Sequence, residues 1–126
     1  IDVLEEKIAS ITETKYCVAL NSGTDALTIG LYLLGIRKGD EVLTPANSFI
    51  ASTAVIVHLG AKPVFVDVKD DQNIDENLIE KKITNKTKAI MPVHLTGRMC
   101  NMKKIIDISK KYKIPVDINH AVHLGI

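Results

Sequence analysis

Apolar positions recur at helical spacing at the start of the chain. Val3, Leu4, Ile8 and Ile11 form a stripe with charged residues between them, which predicts a helix over 1–12. The pattern then shortens. YCVAL (16–20) is a brief apolar run and reads as a buried strand. NSGTDALTIGLYLLG (21–35) enters a helix near Thr24, with Gly35 as the C-cap. EVLTP (41–45) is a second strand, and SFIASTAVIVHLG (48–60) a second long helix ending on Gly60. PVFVDV (63–68) is a third strand, followed by the polar turn KDDQN and a short helix from Asp75 to Ile83. KAIMPV (88–93) is a fourth strand, NMKKIIDISKKYK (101–113) an amphipathic helix, and IPVDIN (114–119) a fifth strand.

Strand and helix alternate, and the strands are apolar on both faces. That combination predicts an α/β domain with a mainly parallel sheet covered by helices on each side. Right-handed crossovers bring the C-terminal ends of such strands to one edge, where ligands of open α/β sheets bind. Internal repeats, low-complexity segments and interdomain linkers are missing from the pattern, so residues 1–126 read as one domain or part of one.

Composition changes this picture little. The 126 residues are 46% hydrophobic and 25% charged, with a net charge of +1, which is ordinary for a globular protein. Lysines occur in short pairs rather than long basic runs, so nucleic-acid grooves and polybasic membrane anchors are not indicated. Cys17 and Cys100 lack a metal-binding spacing and read as free thiols of a cytoplasmic protein. No apolar run is long enough to span a bilayer, and the N-terminal stretch reads as a helix rather than a signal peptide. A chain that opens in a helix without an initiator methionine and closes at a strand tip is expected to be a fragment.

Four stretches at the expected ligand edge carry candidate chemistry. In NSGTDAL (21–27), Gly23 permits a tight turn, and the amides of Thr24 and Asp25 then point out of a helix N-terminus. Such an end suits a phosphate, with a hydroxyl from Ser22 or Thr24 beside it; the same residues also make an ordinary N-cap. Phe49 follows the second strand and reads either as a platform for a flat ring or as the first core residue of its helix. His94 stands just past the fourth strand, as a ligand contact or as a hydrogen-bonded structural histidine. Asp117 and Asn119 share one face of the fifth strand, because side chains repeat every two residues. His94, His120 and His123 fit no zinc spacing, so no metal is expected.

ALNSGTDALTIGLYLLGIRKGDEVLTPANSFIASTAVIVHLGAKPVFVDV, followed by IMPVHLTGRMCNM, closely resembles the DegT family of pyridoxal-phosphate-dependent sugar aminotransferases. The likeness runs in register over nearly the whole chain. It implies a three-layer α/β/α sheet, the large domain of fold type I pyridoxal-phosphate transferases, in a homodimer; this chain would supply the N-terminal part of that domain. It implies that the backbone and hydroxyls around Ser22, Gly23, Thr24 and Asp25 hold the cofactor phosphate and that Phe49 stacks on the pyridine ring. The implied substrates are an amino-acid donor, usually glutamate in the family, and a keto-sugar nucleotide.

The resemblance also exposes departures. The family's fifth strand is similar to P-V-I-E-D-A-A-Q-x-x-G, whose Asp pairs with the pyridinium nitrogen and whose Gln touches the ring hydroxyl. Counted from Pro115, these positions are Asn119 and Val122. A neutral amide hydrogen-bonds but does not supply the charge that keeps the ring nitrogen protonated. Asp117 is about 6.6 Å away along the strand, at roughly 3.3 Å per residue. The family's Schiff-base lysine belongs to a later segment, so the catalytic group is expected outside residues 1–126 and this chain alone is expected to be inactive. Two alternatives stand beside the aminotransferase: a degenerate, non-catalytic α/β module, and the related sugar dehydratase with histidine in place of that lysine.

Overall fold

The computed structural model describes residues 1–119. Three strands form a parallel sheet: β1 (Glu41–Pro45), β2 (Lys62–Val66) and β3 (Thr87–Ile90), in the order β2-β1-β3. The register pairs Leu43 of β1 with Val64 on one side and Ile90 on the other. The segment 114–119 continues the sheet beyond β3 through two parallel bridges, Ile90 to Val116 and Val93 to Asn119. Its amides and carbonyls alternate with those of β3 and the residues after it: the Ile90 amide donates to the Pro115 carbonyl and the Asp117 amide to the Ile90 carbonyl, each at 3.0 Å. Four parallel chain segments thus lie side by side, the last tied by bridges rather than a full ladder.

Helices cover both faces, because successive strand residues point to opposite sides. On one face Val42, Ala89 and Met91 pack under α2 (Gly23–Leu33) and α3 (Ile50–His58), with Leu27, Leu31, Val55 and Ile56 from the helices. On the other, Leu43, Val66 and Ile90 pack against Ile79 of α4 (Ile79–Lys82) and Ile105 and Ile108 of α5 (Met102–Tyr112). Each fully buried Leu or Ile among these contributes roughly 1.5–3 kcal/mol by leaving water. The three-layer α/β/α expectation is met.

Local chemistry sets the boundaries. Gly35 and Gly60 follow α2 and α3 with φ of +84° and +77°, left-handed positions that favour glycine. The Asn101 side chain accepts from the Lys104 amide and caps α5. The helix expected from Asp75 to Ile83 is only Ile79–Lys82. Asp75 explains the late start: its carboxylate accepts from the Asn77 amide at 2.9 Å, an Asx turn that competes with the first helical turn.

One expected strand does not form. Residues 16–20 form no strand, and Tyr16 and Val18 are 74% and 71% exposed. A strand needs a neighbour for its backbone groups, and among the described residues none pairs with this segment; the Ala19 amide donates instead to Glu5 Oε1 at 2.7 Å. That bond ties the segment to α1 (Asp2–Ile11), which itself buries no residue. Apolar side chains here and on the outer side of α2, such as Ile11 and Leu33, stay uncovered.

Candidate functional site at the C-terminal edge of the sheet

The loops that leave the strands carry the candidate residues to one edge. Phe49 is the N-cap of α3, four residues after the end of β1. His94 follows β3, and Asn119 ends the described part of the fourth segment. Helix α2 runs antiparallel to the strands. Its C-terminal Leu34 and Gly35 share a cleft of about 550 Å³ with Asp40, Thr87 and Pro115, at the beginnings of the strands. The N-terminus of α2, with Ser22 to Asp25, therefore points toward the edge that holds Asn119.

Ser22 caps α2: its hydroxyl accepts from the Asp25 amide at 3.1 Å. The amides of Gly23 and Thr24 have no acceptor among the described residues, and a Cβ built on Gly23 would meet nothing within 4 Å. Open space thus lies over two free donors at the positive end of a helix. Asp25 adds an acidic side chain to the same first turn.

Phe49 is 69% exposed, so its ring lies outside the core and the core reading of this residue is set aside. One turn into α3, Ser52 is fully buried, and its hydroxyl accepts from Asn119 Nδ2 at 2.8 Å. The Asn119 backbone is held twice more: its amide donates to the Pro92 carbonyl and its carbonyl accepts from the His94 amide, both at 3.0 Å. The hydroxyls of Thr44 and Ser48, on the way from β1 to Phe49, are buried without a hydrogen-bond partner among the described residues.

His94 is only 2% exposed, and its Nδ1 accepts from the Cys100 amide at 3.2 Å. The ring is thus part of the packing beneath the edge and helps shape the loop from 94 to 100. Burial, with a smaller push from Asp71, raises the Cys100 thiol above its ordinary pKa, and the neutral thiol donates to the Val93 carbonyl. His120, Val122 and His123 lie outside the described residues.

Asp117 sits two residues before Asn119 on the same face, as strand periodicity requires. Its carboxylate abuts Gly30 of α2: a Cβ built there would lie 3.2 Å from Oδ1. Burial pushes the carboxyl up to about 6, and Oδ2 is buried without a hydrogen-bond partner among the described residues.

Sequence reasoning missed three residues that organise this edge. Ser52 is one; its signal was a polar position inside an otherwise apolar helix. Asn47 and Asn73 are the others. Asn47 Nδ2 donates to the Gln72 carbonyl at 2.9 Å. The buried Asn73 accepts from the Leu95 amide and donates to the Arg98 carbonyl, both at 3.3 Å. Together they join the loops after β1, β2 and β3.

Comparison with known proteins decides the family. The sequence pattern of the DegT/DnrJ/EryC1/StrS aminotransferase family matches residues 1–124. The chain belongs to that family. Among curated DegT/DnrJ/EryC1/StrS relatives, the UDP-2-acetamido-2-deoxy-3-oxo-D-glucuronate aminotransferase of Pseudomonas aeruginosa is 44% identical over 123 residues, 97% of this chain and 34% of the relative. The 3-oxo-glucose-6-phosphate:glutamate aminotransferase of Bacillus subtilis is 40% identical over 127 residues, 100% of this chain and 29% of the relative. Among solved structures, NtdA of Bacillus subtilis, with bound cofactor PMP, superposes with a TM-score of 0.91 at 40% identity, covering 93% of this chain and 27% of that one. The chain spans about a third of the length of the curated relatives it matches.

Proposed function

We propose that residues 1–126 are the N-terminal part of the cofactor-binding large domain of a pyridoxal-phosphate-dependent aminotransferase. The complete protein moves an amino group from an amino acid, with glutamate as the expected donor, to a keto-sugar nucleotide. The observation that carries this reading is the convergence of three features at one sheet edge in a member of this family: free helix-end amides, an exposed aromatic ring, and a strand-tip side chain fixed by α3.

Two parts of this edge fit the cofactor. The amides of Gly23 and Thr24, with open space above them, suit a dianionic phosphate, and Ser22 holds the helix end in shape through its bond to the Asp25 amide. Phe49 offers a free ring face for the pyridine, and the unpartnered hydroxyls of Thr44 and Ser48 mark the adjoining junction as polar and unsatisfied. When bound, the cofactor supplies an electron sink for proton removal at the amino-acid carbon. By the family resemblance Asn119 stands at the position that would pair with the ring nitrogen; its amide would hydrogen-bond there and would bring no formal charge. His94, buried and bonded to the Cys100 amide, shapes the pocket wall through the 94–100 loop.

The uncovered apolar side chains of α1 and residues 16–20 support burial against the remaining chain or a second subunit, as in a homodimer. No helix among the described residues is long and apolar enough to cross a membrane, and Cys17 and Cys100 are free; both features support a cytoplasmic protein.

Asn119 favours a second reading, a binding module without turnover. One experiment separates the two. Asn119→Asp in the full-length protein should raise amino transfer from glutamate by orders of magnitude, because a carboxylate restores the charge beside the ring nitrogen. Residues 1–126 alone should show no turnover with either side chain. If the full-length protein does not bind pyridoxamine 5′-phosphate, or transfers no amino group even with aspartate at 119, the aminotransferase reading is wrong.

A further inference from the structure

Thr96 holds a backbone conformation that β-branched residues avoid. Its φ is +53° and its ψ 30°, in the left-handed region, and Gly97 follows at φ +78°. Such strain persists only where surrounding bonds over-determine it, and it gathers at sites that grip ligands. Those bonds are present. The Asn73 side chain, 1% exposed, accepts from the Leu95 amide and donates to the Arg98 carbonyl, both at 3.3 Å, and so staples the two ends of the turn. The Arg98 amide and the Thr96 hydroxyl both donate to the Leu95 carbonyl, at 3.0 and 2.7 Å. Just before the turn, the His94 amide donates to the Asn119 carbonyl, which ties it to the strand tip.

The turn ends in Arg98, which is exposed and whose guanidinium makes no hydrogen bond or ion pair among the described residues. The loops that leave β1, β2 and β3 contain two lysine or arginine residues, Lys69 and Arg98. Lys69 is committed to Glu76 at 2.9 Å. Asp67, Asp70 and Asp71 follow β2, and Asp25 stands in the first turn of α2. An anion arriving at these acidic loops therefore meets one uncommitted cation among their described residues, carried on a backbone already fixed in place.

We infer that Arg98 is a specificity-determining residue that grips a phosphate group of the acceptor sugar. The inference rests on the aminotransferase reading given above. A guanidinium presents two parallel N–H donors that match a pair of phosphate oxygens. Reach favours the acceptor over the amino-acid donor. The donor's carboxylates lie within a few bonds of its reacting carbon, whereas a phosphate on the acceptor is separated from its reacting carbon by the sugar ring and extends toward the exposed rim. Because the turn is held before the ligand arrives, binding orders the Arg98 side chain and little else.

The test uses the full-length protein saturated with pyridoxamine 5′-phosphate, titrated calorimetrically with UDP, dTDP, GDP, glucose 6-phosphate and, as a phosphate-free control, uridine. Arg98→Ala should weaken the tightest phosphate probe by about tenfold to a hundredfold, and uridine by less than twofold. Arg98→Lys, which keeps the charge but loses the fork, should fall between the two. A loss confined to the nucleoside diphosphates, or to glucose 6-phosphate, supports the assignment and names the source of the phosphate. Equal affinity of wild type and Arg98→Ala for every phosphate probe overturns it, as does a wild type that binds none of them. The donor is examined in an Asn119→Asp background, where the half-saturating glutamate concentration is read from cofactor absorbance. A rise there as large as the loss of phosphate affinity would assign Arg98 to the donor and overturn the inference. Failure of the wild type to bind pyridoxamine 5′-phosphate, measured by equilibrium dialysis, removes the aminotransferase reading itself and the inference with it.

Discussion

Asp117→Asn in the full-length protein measures what a charge beneath α2 costs. Burial pushes the wild-type carboxyl from its ordinary 3.8 up to about 6, and no charge among the described residues contributes to the shift. Each tenfold change in acid strength is worth about 1.4 kcal/mol, so the ionised form carries roughly 3 kcal/mol of penalty before screening. Asp117 is partly exposed, and solvent screening brings that to about 1–2 kcal/mol. Because the folded protein holds this proton more tightly than the unfolded chain, the penalty is negligible below about pH 4, grows as the pH rises toward 6, and is complete above it. Asparagine cannot ionise. The variant should therefore be more stable than wild type at pH 8 by about 1–2 kcal/mol, with the two curves converging as the pH falls to about 4. Urea unfolding at a series of pH values, with the denaturant slope unchanged, is the assay. A benefit that is the same at pH 4 and pH 8 would show that packing rather than charge is responsible. No benefit at pH 8 would show that the carboxylate is already well solvated.

Three further outcomes follow from the same contacts. Gly30→Ala should yield less than the roughly 1 kcal/mol that alanine gains over glycine in a helix, because the new Cβ meets Asp117 Oδ1 at 3.2 Å; adding Asp117→Ala should release the gain, seen as coupling in a double-mutant urea cycle. Ser22→Ala removes the hydroxyl that accepts from the Asp25 amide and should cost about 1 kcal/mol in urea unfolding. Asn73→Ala strands the Leu95 amide and the Arg98 carbonyl, and should cost about 1–3 kcal/mol while accelerating hydrogen exchange at Leu95.

The sheet was legible because its strands are read locally. EVLTP and KAIMPV are apolar on both faces, and each meets a helix on either side, so their hydrophobic runs and their burial agree. YCVAL shows the limit of that reasoning. Its composition is that of a buried strand, but burial depends on what lies beside it, and among the described residues nothing pairs with its backbone. The short α4 failed for a different reason: helical periodicity from Asp75 onward competes with an Asx turn worth one hydrogen bond at its start, and the turn takes the first residues.

The site divides along the same line between local and long-range causes. Ser22, Gly23 and Phe49 stand at strand-to-helix junctions, whose turn and cap chemistry is written in consecutive residues. The Ser52–Asn119 pair joins positions 67 residues apart, and only the crossing of α3 over the fourth parallel segment brings them together. Asn73 likewise bonds across 22 and 25 residues. Asp117 is the most instructive case. In sequence it is a carboxylate near a strand tip, readable as a candidate for the work of a missing aspartate. In the fold it points at Gly30 in the middle of α2, and its strained ionisation comes from being pressed against a helix. The strand cannot slip by two residues to bring it to position 119 without breaking the bridges at Val116 and Asn119 and moving Val116 out of its core cluster. The register that packs the half-buried Val116 against this cluster therefore also sets a neutral amide, and not the Asp117 carboxylate, at position 119 of the strand tip.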